Sequence, residues 1–433
     1  MNNDRKELLL GFGISEDIAS LADECEAGLS GRFASLGAVC EANQYKVLSA
    51  FTKNRLSDAH FGFATGYGFD DPGRAVTESI FSDVFGTEAA LVRTQIVNGT
   101  HAISTVFSGI LRPGEKLLYC TGPPFDSLWS SVGLGGEGAG QGSLAEFGIG
   151  YAQTDLTPSG DFDYPAIEKA LEPPEVRIAA VQRSTGYSER PAMTIDKIAG
   201  FSRFVKARRP DVILMADNCY GEFLETKEPT DAGIDIIAGS LIKNPGGGLA
   251  LSGGYIAGRA DLVEKASYRL SCPGIGGECG LTFGQTRAVL QGLFLAPRTV
   301  SDAVKGAALC AAVFERLGFK TFPGPEDARS DIVQTITLCS PEALVAFCEA
   351  VQAVSPVDAF VKPEPCETPG YQDDIIMASG SFVTGSSIEL SADGPMRPPY
   401  NVYFQGGLTY EHAKLGVMSA AQSLADKGLA ELK

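Results

Sequence analysis

The chain has 433 residues and sets 53 Asp and Glu against 35 Lys and Arg, a formal net charge of -18. With 44% hydrophobic and 20% charged residues it has globular composition, which excludes a disordered chain and a coiled coil, and its length suits two or three structural units. The acidic balance argues against a nucleic-acid partner, because phosphate backbones demand clustered Lys and Arg. The nearest thing to a basic run, Lys206-Ala207-Arg208-Arg209, ends a helical stretch, where positive charge answers the helix dipole.

The N-terminus, Met1-Asn2-Asn3-Asp4-Arg5-Lys6, has no long apolar stretch behind it, so no signal peptide is expected. No window approaches the roughly 20 apolar residues of a membrane helix, and no membrane partner is expected. Ten cysteines are scattered without CxxC pairs, which fits reduced thiols in a cytoplasm. His60, His101 and His412 stand far apart, so no metal site is expected.

Residues 1–60 read as a helical N-terminal arm, with helical apolar spacing over Cys40–Phe51. A Gly- and aromatic-rich loop follows, His60–Phe69, suited either to plug packing or to a binding surface. From about residue 75, short apolar runs alternate with helical patterns. The strand candidates are Ala89–Thr94, Lys116–Cys120, Val176–Val181, Val212–Ala216, Ile236–Ser240 and Gly254–Gly258. Such runs suit a parallel sheet covered on both faces and built from βαβ units. Gly133–Gly142 reads as a loop. A long helical region is expected over Gly280–Leu317. Beyond it come an apolar run Ile332–Leu338, a helix Pro341–Val354, strands near Ile375–Met377 and Ser387–Leu390, and a final helix Tyr410–Lys427. The predicted organisation is an α/β fold with a large domain over 61–300 and a smaller C-terminal α/β domain over 301–433.

Three segments carry chemistry. In Gly239-Ser-Leu-Ile-Lys-Asn-Pro-Gly-Gly-Gly-Leu249, Lys243 stands just after an apolar strand and just before glycines that allow close backbone approach to a flat ligand. Desolvation there would lower the pKa of the amine and make it a nucleophile or base. Ser240, three residues earlier, has a hydroxyl suited to a phosphate oxygen. The alternative is a surface lysine in a Gly-rich turn. Asp217 ends the buried strand Val212–Ala216, where a charge must find a partner, and it precedes Lys243 by 26 residues, one helix-and-strand unit. The pair suits pyridoxal 5′-phosphate (PLP): the lysine forms the Schiff base, and the aspartate holds the pyridinium nitrogen protonated. The alternative for Asp217 is a helix N-cap. Asn98, Gly99 and Thr100 follow a strand and open a helix, a turn that suits phosphate at the helix N-terminus. His101 beside them is read as a capping or core histidine.

Taken together, these segments resemble fold-type I PLP enzymes. More closely, the chain is similar to the aluminium-resistance, methionine γ-lyase-like family of the Cys/Met-metabolism group. The stretches that carry this are Thr65–Asp71, Ala90–Ile103, Gln182–Tyr187, Pro273–Gly277, Gly385–Tyr400 and Gln405–His412. The resemblance implies a mostly parallel, seven-stranded-type sheet in the large domain. It makes Lys243 the Schiff-base lysine, Asp217 the pyridine partner, and Ser240, Asn98, Gly99 and Thr100 the phosphate cradle. Arg183 would face the cofactor region, with an ordinary ion pair as its alternative. Arg397 would clamp a substrate α-carboxylate, with a structural salt bridge as its alternative. Tyr67 would cross a subunit interface to the neighbouring phosphate and substrate. Phe125 departs from the family pattern, which has Tyr there: stacking on the cofactor survives, and a hydroxyl able to protonate a leaving group is lost.

The implied function is a cytoplasmic lyase acting on an amino acid by β- or γ-elimination. It would work as a homodimer or homotetramer with active sites at the subunit interface, in keeping with the aromatics Phe61, Phe63, Tyr67 and Phe69. A transaminase, racemase or γ-replacement enzyme would use the same residues. A non-catalytic PLP-fold binding protein is a second reading. A nucleotide-binding protein is a third, against which stands the absence of GxGxxG after the first strand and of GxxxxGK[ST] anywhere.

Overall fold

The computed structural model describes residues 3–135, 140–368 and 373–431. Part of the Gly133–Gly142 loop, residues 136–139, lies outside them. The chain divides into two compact units, one from Ala42–Leu295 and one joining Met1–Glu41 to Ala296–Lys433.

The larger unit is built on seven strands: β1 (Ala89–Arg93), β2 (Lys116–Tyr119), β3 (Gly150–Gln153), β4 (Val176–Gln182), β5 (Ile213–Asp217), β6 (Ile236–Ser240) and β7 (Gly254–Gly258). They lie in the order β1-β7-β6-β5-β4-β2-β3. The pairs β3–β2, β2–β4, β4–β5 and β5–β6 are parallel, while β7 runs antiparallel to both its neighbours. All six strand candidates in this region form. β5, β6 and β7 are buried at every position, as continuous apolar runs with both faces covered require. β3 escapes the sequence pattern because Gly-Tyr-Ala-Gln is a half-exposed edge with no apolar run. One face of the sheet buries Leu117, Ile178, Met215 and Ile256 against Ile103, Val106 and Phe107 of the helix Gly99–Ile110 and Leu262 and Ala266 of the helix Ala260–Leu270. The basic run at the end of the helix Ile195–Arg208 is answered by acids, Lys206 by Asp235, Arg208 by Glu168 and Arg209 by Asp211.

The other unit carries an antiparallel sheet of β8 (Lys320–Phe322), β9 (Gln334–Thr337), β10 (Ile375–Ala378), β11 (Ser391–Pro395) and β12 (Asn401–Gln405), in the order β10-β11-β12-β9-β8. The expected strand at Ser387–Leu390 is corrected: those residues are bends, and the strand begins at Ser391. Ser-Ala-Asp-Gly-Pro has no strand-like pattern of its own and is a strand through its pairing with β10 and β12. The long C-terminal helix begins at Thr286, so 280–285 is loop rather than the expected helix. Ile14, Ile18, Ala22 and Cys25 near the N-terminus share one core with Phe314, Phe347, Phe404 and Leu424. The helices here begin at side-chain caps, Ser15, Ser340 and Thr409 each accepting a backbone N–H. Among the described residues no helix is long and apolar enough to cross a membrane.

The helices Gly99–Ile110 and Ala260–Leu270 approach closely at Gly109, where a Cβ would lie 2.9 Å from Ala266 Cα and 2.9 Å from Lys265 O. Both obstacles are backbone and cannot rotate away. Gly109→Val should lower stability by about 2–3 kcal/mol. Gly28→Ala, at a helix position with nothing within 4 Å of the new Cβ, should be neutral or mildly stabilising. Urea unfolding midpoints check both, and equal midpoints for the two variants would show that the Gly109 contact is soft.

Candidate active site

β4, β5 and β6 are neighbours and end at Gln182, Asp217 and Ser240, so three buried polar residues finish three adjacent strands. In open α/β sheets this is where ligands bind. Asp217 is buried, and its Oδ1 accepts the Cys219 N–H at 3.1 Å. No helix starts after it, so the N-cap alternative falls. Burial pushes its carboxyl above the usual carboxylate range, opposed by the Lys243 amine and the Cys219 N–H.

Lys243 is half-buried, three residues past the end of β6. Its Nζ lies over the Tyr220 ring, 4.0 Å from the centroid. The expectation of a lowered amine pKa is corrected. Burial alone would lower it, but the neighbouring side chains Cys219, Tyr220, Asp217 and Glu222 outweigh burial and raise it. The glycines after Lys243 make a tight turn, with Gly247 and Gly248 at φ +54° and +80°.

Gly99 opens the helix Gly99–Ile110, and Asn98 caps it, its Oδ1 accepting the His101 N–H at 2.8 Å. A Cβ on Gly99 would lie 3.0 Å from Cys219 Sγ and 3.4 Å from Ser240 Cβ. The helix N-terminus and the end of β6 therefore face each other across a space that only glycine keeps open. Thr100 Oγ1 bonds Ser127 Oγ at 2.7 Å, and Ser240 Oγ accepts the Ile242 N–H at 3.3 Å. Helix N–H groups, a glycine gap and three hydroxyls are a donor set that fits a phosphate. His101 is a capping residue: its Nδ1 accepts the Val97 N–H at 3.2 Å.

Phe125 is half-buried, with its ring 5.7 Å from that of Tyr187 and close to Gly186, whose added Cβ would be 3.3 Å from Phe125 Cδ2 and 2.9 Å from Gln182 Nε2. Gln182 pairs in register with Asp217, so Phe125 shares the strand-end region with Asp217. The Gln182 Oε1, Glu222 Oε2 and Asn244 Oδ1 atoms around this region are buried with no hydrogen-bond partner among the described residues. A pyridoxal phosphate fits these residues: Asp217 for the ring nitrogen, Phe125 for the ring face, Lys243 for the aldehyde carbon, and Gly99, Thr100 and Ser240 for the phosphate.

Three sequence candidates have contacts of their own. Arg183 is fully buried, and its guanidinium meets Glu225 and Glu228 at 3.2 Å each and Asn218 Oδ1 at 2.9 Å. Two carboxylates and an amide oxygen surround its charge, the ion-pair environment of the alternative, while its backbone N–H donates to the Asp217 carbonyl at 3.0 Å. Arg397 belongs to the C-terminal unit, where it pairs with Asp373 at 2.6 Å. Tyr67 is 76% exposed, its ring tilted against that of Phe69 at 5.5 Å.

Sequence reasoning missed Cys219, Tyr220 and Glu222, all in the turn after Asp217. Glu222 is buried, accepting from Tyr255 Oη at 2.7 Å. The signal was available: four polarisable or acidic side chains within six residues of a strand end are unusual in a buried segment.

A family model described as methionine gamma-lyase matches residues 18–425. The Bacillus subtilis protein YnbB is 49% identical over 415 residues, 96% of this chain and 98% of its own. A carbon–sulfur lyase involved in aluminium resistance from Clostridium novyi is 46% identical, with a TM-score of 0.94 over 98% of this chain and 99% of that one. The PLP-dependent protein YhfS of Escherichia coli shares 17% identity and a TM-score of 0.59 over 89% of this chain and 96% of that one, a likeness of fold alone. The expected fold-type I architecture is therefore the observed one.

Burial pushes the Glu222 carboxyl up to about 8, from 4.5, against the lowering effect of the Tyr255 hydroxyl. Between those two values the folded chain holds a proton that the unfolded chain has released, so this group's contribution falls as pH rises. Glu222→Gln should remove that fall. Relative to wild type the variant should gain on the order of 2–4 kcal/mol between pH 5 and pH 8, measured by urea unfolding. Parallel stability curves would mean that Glu222 ionises freely in the folded chain.

Proposed function

The chain belongs to the methionine gamma-lyase family, and on that premise we propose that it is a PLP-dependent carbon–sulfur lyase that acts on an amino acid by β- or γ-elimination. The observation that carries this reading is the convergence of Asp217, Lys243 and the Gly99–Ser240 gap at neighbouring strand ends. When bound, the cofactor supplies an electron sink that acidifies the substrate Cα proton. Lys243 Nζ takes that proton once its amine is free. Asp217 holds a proton at the ring nitrogen. Phe125 covers the ring but offers no hydroxyl, so the leaving group's proton has to come from Lys243 or from solvent. Ten free cysteines support a reducing compartment, the cytoplasm.

The assay is release of a 2-oxo acid from cystathionine, methionine and cysteine, with the Schiff base trapped by borohydride and the reduced pyridoxyl group mapped. The pyridoxyl peptide should contain Lys243, and Lys243→Ala should lower turnover by about 10²–10⁴-fold or more. A pyridoxyl group on another lysine, or no 2-oxo acid from any sulfur amino acid, would overturn the reading.

The assembly is a homodimer or a homotetramer of dimers with Tyr67 reaching the neighbour's phosphate. Support comes from Phe63, Tyr67, Phe69 and Phe283, which are 68%, 76%, 61% and 60% exposed in the single chain. Tyr67→Phe should weaken cofactor retention by about 1 kcal/mol, the worth of one hydrogen bond, and leave the dimer intact. Mixing an inactive Tyr67 variant with an inactive Lys243 variant should restore part of the activity, since one site of each heterodimer collects neither lesion. No recovery after proven subunit exchange would place Tyr67 outside the partner's site.

A further inference from the structure

The turn after Asp217 presents a ring that the chemistry above leaves unused. Tyr220 stands at φ +68°, a left-handed conformation that a bulky residue adopts only where its surroundings impose it. They do so from two sides. Next to it, Gly221 is pressed so hard against Arg183 that a Cβ there would lie 2.3 Å from Arg183 Cδ. In front, the Lys243 ammonium sits over the ring, 4.0 Å from its centroid. The two segments are tied together, because Asn244 Nδ2 donates to the Glu222 carbonyl at 3.0 Å. Gly221 N in turn donates to Asn218 O at 2.9 Å, closing the turn that carries Tyr220. Among the described residues Lys243 makes no ion pair, so the ring face is the group in contact with its charge.

We propose that Tyr220 is a positioning residue whose ring face holds the Lys243 amine at the strand ends and stabilises the ammonium that the amine becomes on taking up a proton. This rests on the reading of Lys243 as the cofactor lysine. An aromatic face carries negative potential, and a half-buried ammonium has lost part of its water, so the ring replaces hydration. Asp217 at the end of β5, and Cys219 and Glu222 in the turn, also face the amine, but through space rather than in contact. Lysine has four rotatable carbons, and without an anchor its amine would leave the strand ends where proton transfer takes place.

The test uses the full chain stripped of cofactor, so that its outcome does not depend on cofactor chemistry. Lys243 is dimethylated with 13C-formaldehyde, its methyl signal is assigned by its loss in Lys243→Arg, and its midpoint is titrated. Tyr220→Leu should lower that midpoint by about one pH unit. Tyr220→Asn should do the same, and Asn tolerates the left-handed backbone, which guards against a folding defect. Tyr220→Phe keeps the ring and should leave the midpoint near the wild-type value. In the loaded enzyme the acid limb of kcat against pH should move the same way in the Leu and Asn variants. An unchanged midpoint in the folded Leu or Asn variant overturns the proposal. So does a fall in Tyr220→Phe as large as in Tyr220→Leu, which would assign the effect to the hydroxyl. Midpoints that shift as stated in a chain that takes up no cofactor would sink the lyase reading and leave the role of Tyr220 standing.

Discussion

Asp217 ends a strand that is buried at every position, and a carboxyl in that place has to be answered by donors or by positive charge. It receives one N–H from Cys219 and the field of the Lys243 amine. The chain leaves β4, β5 and β6 at the same end, so meeting this requirement gathers the other site residues. β6 delivers Ser240 and Lys243 beside Asp217, and the helix after β1 brings Gly99 against Ser240 and Cys219. A glycine at 99 is then a necessity of space, since a side chain would press on Cys219 Sγ and Ser240.

Behind the site lies a second set of buried charges. Arg183 joins Glu225, Glu228 and Asn218, while Asn218 Nδ2 reaches Glu228 and Tyr255, and Tyr255 donates to Glu222. Burying so many polar groups contributes little net stability, because desolvation offsets most of the attraction. Its consequence is geometric. The turn from Asn218 to Phe223 is held from beneath, with Tyr220 and Phe223 both at positive φ, and its upper side is turned to Lys243. The amine is consequently surrounded by acids and a ring, which is why its proton affinity rises despite burial.

Much of the large unit could be read from local pattern. β6 and β7 form over the very residues expected, because apolar runs bounded by glycine and serine are strand signals that need no context. The same logic fails at β3 and β11. Gly150–Gln153 pairs along only one edge, and Ser391–Pro395 contains Asp, Gly and Pro, so each is a strand only because its neighbours present free backbone groups. The positions of Asp217, Lys243 and Gly99 were visible because each is marked by its place at or just past a strand or helix end. Tyr220 and Glu222 were marked only by the crowding of polar side chains after Asp217, which does not say whether a turn residue faces an amine or solvent.

The sequence by itself determined most of the large unit's strands, the strand ends near Asp217 and Lys243, and the glycine that opens the helix after β1. These depend on hydrophobic period and turn chemistry, which act over a few residues. Only the tertiary structure decided that Arg183 would meet Glu225 and Glu228, 42 and 45 residues away. It alone set the Tyr220 ring against Lys243 and raised the amine's proton affinity rather than lowering it. Charge pairing and desolvation are sums over everything within a few ångströms, and in a folded chain most of that neighbourhood comes from distant sequence.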